Sequence, residues 1–104
     1  MMIGKGMRLK LLAEAAADYY DVPLEKLKGK CRKAIYTKPR HICQWAAIQA
    51  GYKKSIVARF WDLNHASIIY GCKMVNNNIE TDQYYKKEIH AFLAHLRKYV
   101  KENE

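Results

Sequence analysis

Residues 55–79 read SIVARFWDLNHASIIYGCKMVNNNI, and the reading of this stretch decides the fold. Two helical patterns fit it, Ser55–Phe60 and Asn64–Ile79, with only Trp61, Asp62 and Leu63 between them. Asn64 suits an N-cap, because its side-chain oxygen can accept from a free amide of the first turn. Ile68, Cys72, Val75 and Ile79 recur at helical spacing and form one apolar stripe. Ala66, Ser67, Tyr70, Lys73, Met74 and Asn77 then fall on the other side. A short helix, a tight turn and a longer helix are the outline of a helix-turn-helix. Helical bundles often contain that outline by accident, so side-chain chemistry has to carry the rest.

The flanking sequence extends the pattern to an all-α bundle of five or six helices forming one domain over residues 1–104. A first helix from Arg8 to Tyr20 buries Leu9, Leu12, Ala16 and Tyr19. Pro23 starts a short second helix through Leu27, and Gly29 ends it. Cys31 to Tyr36 reads as a basic loop. Thr37 is the expected N-cap of a third helix, with Pro39 in its first turn and Gly51 as its stop. Ile42, Trp45, Ala46 and Gln49 are spaced along it. Thr81 or Asp82 caps a last helix, buried through Tyr85, Ile89, Phe92, Leu93, Leu96 and Val100. That helix closes the bundle, or it offers a surface for a protein partner or a homodimer.

The net charge is +9, and its distribution matters more than its total. Lys26 to Trp61 holds ten basic residues and no acid, whereas the rest holds nine basic and ten acidic residues. No acid occurs between Asp62 and Glu80 either, so a polyanion can approach the helix from Asn64 without repulsion. A block of one sign also serves plain solubility. The loop Lys28-Gly29-Lys30-Cys31-Arg32-Lys33 is denser than that needs, and suits phosphate or minor-groove contact. Lys38 and Arg40 are expected in the first turn of the third helix, where an approaching phosphate would relieve their conflict with the helix dipole. Asn64, His65, Ala66 and Ser67 are small or hydrogen-bonding residues of the type that reach base edges in the major groove.

Other chemistries find little support. No apolar run approaches the ~18 residues of a membrane span, and Met1 to Lys10 shows no secretory leader. Three scattered cysteines do not make a disulfide framework. Cys43 and Cys72 read as small apolar core residues, and Cys31 lies in the basic loop. The cysteines and four histidines lack zinc spacing, so neither a metal nor any other cofactor is expected. Glu14, Asp18, Asp21 and Glu25 are the only acids before Asp62, which leaves a metal-dependent nuclease without ligands beside the basic surface. A reduced, cytoplasmic, nucleoid-associated non-enzyme is the expectation. Trp45 and Phe60 read as core, Trp61 as part of the turn, and Tyr70 as outward-facing.

Gly29-Lys30-Cys31-Arg32-Lys33, Lys38-Pro39-Arg40-His41-Ile42, Phe60 and Asn64-His65-Ala66-Ser67-Ile68-Ile69 together resemble the C-terminal DNA-binding domain of the bacterial replication initiator DnaA. That family reads roughly GKSRK, RPRQI and F-x-x-x-DHTTVLHA at the same spacings. The resemblance covers about Ala13 to Ile79 and implies a Trp-repressor-like helix-turn-helix that binds double-stranded DNA. It implies that Arg32 enters the minor groove, that Arg40 contacts phosphate and His41 reads bases, and that Asn64 to Ser67 read the major groove. Lys73 matches a basic, backbone-facing position. Asn64, Ala66 and His41 depart from the family's Asp, Thr and Gln, so its preferred site does not carry over. Ala34 and Val57 depart as well, from a basic residue and a glycine. No GxxxxGK[ST] loop is present, so no ATP motor is implied. The expected role is sequence-specific DNA binding in bacterial or phage replication or transcription control, without a small-molecule substrate. The alternative is a helical protein-interaction module that has lost site-specific binding. RNA binding would need exposed aromatics on a basic sheet or loop, and none is apparent.

Overall fold

The computed structural model describes residues 8–103. The first seven residues, most of the stretch read for a leader, and Glu104 lie outside the described residues. Six helices and no strand occur among them: α1 (Leu9–Tyr20), α2 (Leu24–Lys28), α3 (Ala34–Gln49), α4 (Lys54–Trp61), α5 (His65–Thr81) and α6 (Gln83–Asn103). No helix is long and apolar enough to cross a membrane among these residues.

The ends follow local chemistry. Asp21 and Asp62 close α1 and α4 in the left-handed region, with φ 53 at both, a conformation that Asp tolerates better than most residues. Asn64 caps α5 as expected, its side chain accepting from the Ser67 amide at 2.8 Å. Asp82 alone separates α5 from α6. Its Oδ1 accepts from the Tyr84 and Tyr85 amides, which makes it, rather than Thr81, the cap of the last helix.

Several helix ends shift by a residue or two, and two boundaries differ in ways that bear on the packing. Trp61 belongs to the last turn of α4 rather than the connecting turn. It is 2% exposed, and its indole N–H donates to the Leu27 carbonyl at 3.2 Å. The third helix begins four residues earlier than a Thr37 cap would set it, because the Lys33 carbonyl accepts from the Tyr36 and Thr37 amides. Pro39 therefore lies inside α3. Its missing N–H costs one bond near the helix start, which the buried packing of the following turns offsets.

The core is continuous. Leu12, Ala16, Ile42, Ala46, Ile68, Phe92 and Leu96 are all fully buried, so α1, α3, α5 and α6 share one interior. α3 packs most extensively on α5, and α1 on α6. Cys43 and Cys72 are buried in this interior, and burial pushes both thiols upward in pKa. The apolar stripe of α6, Ile89, Phe92, Leu93, Leu96 and Val100, is spent on this contact. It closes the bundle from within the chain.

Candidate nucleic-acid interface

The loop after α2, the second and third turns of α3 and the start of α5 converge on one concave face. They enclose a groove of about 820 Å³. Lys30, Arg32, Arg40, His41, Asn64, Ala66 and Ser67 line it, so seven of the residues singled out from sequence come together. Lys28, Lys33, Lys38, His65 and Lys73 do not line it. All five are exposed, Lys28 at the end of α2, Lys33 on the loop, Lys38 on α3, and His65 and Lys73 on α5.

Arg40 has a different task from the phosphate clamp expected of it. It is 6% exposed, and its guanidinium donates to three carbonyls: Nε to Leu27 at 2.8 Å, Nη1 to Cys31 at 2.9 Å and Nη2 to Lys26 at 2.8 Å. The Lys26 and Leu27 carbonyls end α2, where a helix leaves acceptors unpaired and favours a cation. Burial lowers the Arg40 pKa, but a guanidinium remains charged. Arg40 is thus a positioning residue. It ties α2 and the Cys31 loop to α3, and so fixes where Lys30 and Arg32 stand.

The other cations are partly engaged. Lys28 Nζ lies 4.0 Å above the centre of the half-buried Phe60 ring. Lys30 approaches Asp62 at 3.4 Å, an exposed pair of little energetic weight. Lys38 is in the second turn of α3, not the first, and pairs with Glu88 of α6 at 2.8 Å. Glu88 also accepts from the Tyr20 hydroxyl at 2.9 Å. Burial and this hydrogen bond raise the Tyr20 pKa strongly. Arg32 and Lys33 have no such partner on the described surface.

At the start of α5 the Asn64 oxygen accepts from both the amide and the hydroxyl of Ser67, at 2.8 and 3.0 Å. A backbone N–H fixes that atom as the acceptor, which leaves the Asn64 amide N–H groups as the free function. A bidentate pairing of an Asn amide with adenine needs acceptor and donor together, so Asn64 offers the groove a donor instead. His41 is half-buried, and burial followed by the neighbouring Arg40 charge lowers its pKa. A neutral imidazole presents one donor and one acceptor. Tyr70 faces outward at 61% exposure, with its ring edge-on to His41 at 6.3 Å.

Gln44 was not singled out from sequence, yet it lines the groove, as do the exposed Tyr70 and Met74. Its signal was available. It is the one strongly polar side chain in the run Ile42-Cys43-Gln44-Trp45-Ala46-Ala47, one turn beyond His41. Trp45 is core, its indole N–H donating to Asn76 Oδ1 at 2.9 Å.

No family model matches the chain. Among curated proteins it is similar to chromosomal replication initiator proteins DnaA. The one from Flavobacterium psychrophilum is 27% identical over 89 residues, which is 82% of this chain and 18% of that protein. The one from Acholeplasma laidlawii is 36% identical over 83 residues, 77% of this chain and 18% of its own length. For Treponema denticola the figures are 25% over 101 residues, 95% and 21%. The chain thus spans about a fifth of the length of these relatives. The matched region is their C-terminal, DNA-binding part and not their catalytic part.

Proposed function

Because the chain is a relative of the C-terminal DNA-binding part of the initiator DnaA, we propose that it is a sequence-specific double-stranded DNA-binding protein of replication initiation or transcription control. The observation that carries this reading is the shared groove. It joins a basic loop, which supplies affinity for the phosphate backbone, to the Asn64–Ser67 turn, whose side chains suit base edges. The 104 residues act as one DNA-binding domain in the bacterial cytoplasm. They hydrolyse no ATP, since they contain no phosphate-cradling GxxxxGK[ST] loop.

In this reading α5 enters the major groove through Asn64, His65, Ala66 and Ser67, and Arg32 reaches the minor groove or backbone. Lys28, Lys30 and Lys33 neutralise phosphates around them, as Lys38 and Lys73 do from α3 and α5. Arg40 acts through the loop it holds, and His41 reads from the groove wall.

Selection from random double-stranded DNA tests the proposal. A single enriched motif of a few base pairs supports it, whereas an unenriched pool contradicts it. The alternative of a protein-interaction module rested partly on the amphipathic last helix, and that apolar face is already used inside the chain.

A further inference from the structure

Gln44 is 1% exposed, and neither its Oε1 nor its Nε2 has a hydrogen-bond partner. No other buried side-chain nitrogen or oxygen among the described residues is left in that state. A buried amide without partners is costly, and a methionine or leucine of similar volume would fill the place without that cost. Packing therefore gives no reason for an amide here. Its position gives one. Gln44 follows His41 by one turn of α3 and lines the groove that Asn64, Ala66 and Ser67 border.

The amide faces Gly71 of α5. A Cβ on Gly71 would stand 3.3 Å from Gln44 Oε1 and 3.0 Å from the His41 ring carbon Cδ2. The bare glycine thus leaves a notch bordered by both the amide and the imidazole. Glutamine has three side-chain torsions, so rotation about the outer ones carries its amide from this notch into the groove.

Resting on the DNA-binding reading above, we propose that Gln44 is a specificity-determining residue, whose amide joins His41 in contacting base edges through a water trapped when duplex DNA closes the groove. The water satisfies the amide and carries its donor and acceptor outward, and such bridges support base discrimination. In the free protein the amide packs against Gly71 without a protein partner. Replacing it with an apolar residue should therefore strengthen the fold and weaken readout together, which a purely structural role would not do.

The test compares the wild-type chain with Gln44→Met, and with Gly71→Ala, whose methyl crowds the same notch. Each is put through selection from random duplexes, a fluorescence binding titration on the enriched site, and thermal melting. Gln44→Met should melt higher, keep its affinity for non-specific duplex, and lose about five- to tenfold in preference at one or two adjacent base pairs. Gly71→Ala should alter preference at those same base pairs. If Gln44→Met and the wild type enrich the same motif with equal preference, the Gln44 proposal falls and DNA reading by α5 stands. If the wild type enriches no motif, both fall.

Discussion

Arg40 shows how one buried side chain can fix the position of the loop that carries Lys30 and Arg32. Its three bonds to carbonyls of α2 and the following loop use the planar fork of a guanidinium, which an ammonium cannot reproduce. Arg40→Lys should cost about 2–3 kcal/mol in chemical denaturation and weaken DNA binding through the displaced loop. Full stability with normal binding would contradict the positioning role. At Asn64 two functions separate: Asn64→Asp keeps the cap but adds negative charge to the groove, whereas Asn64→Ala loses about 1 kcal/mol of cap. The first should melt like the wild type and bind DNA more weakly. His41 carries a pH dependence. Unfolded, it titrates near 6.5, and folded, lower. The unfolded chain therefore binds the extra proton between the two values. The His41 contribution is intact above about pH 6.5 and is lost as pH falls through the folded value. His41→Gln should flatten the fall in urea midpoint between about pH 7 and 5 relative to the wild type. Ala66, by contrast, offers the groove only a methyl, which suits a thymine methyl and no polar edge.

At the level of elements, an ion pair joins α6 to α3. Glu88 pairs with Lys38 at 2.8 Å and also accepts from Tyr20 of α1. Glu88→Gln should release Lys38 toward phosphate, raise DNA affinity a few-fold, and steepen the dependence of log K on log salt by about 0.9. An unchanged slope would mean that Lys38 takes no part. The same elements show what could be read in advance. The apolar spacings of α1, α5 and α6 and the caps at Asn64 and Asp82 are written in consecutive residues, so those helices were legible. The start of α3 was not. Thr37 followed by Pro39 imitates a capped first turn, whereas the helix already runs from Ala34, with the Tyr36 and Thr37 amides bonded to the Lys33 carbonyl. Trp61 was misplaced for a related reason, because its partner Leu27 is remote in sequence.

On the scale of the molecule, a net +9 could serve DNA, a membrane surface or solubility. The fold decides where that charge stands. Loop, α3 and α5 bring Lys30 and Arg32 to the same groove as Asn64 to Ser67, although 31 or more positions separate them in the chain. That convergence was foreshadowed by spacing, while the burial of Arg40 and the orphaned Gln44 amide depend on tertiary contacts that no local pattern encodes. With about five to seven phosphates neutralised, log K should fall against log salt with a slope of roughly −4.5 to −6, and a salt-insensitive complex would contradict an electrostatic interface. The most direct measurement is a titration of the isotope-labelled chain with a short DNA duplex, following backbone amide NMR signals. Residues 30–33, His41 and 64–67 should shift together and saturate at one duplex per binding face, with α1 and the outer face of α6 unmoved. Shifts concentrated on α6, with the groove silent, would contradict the account.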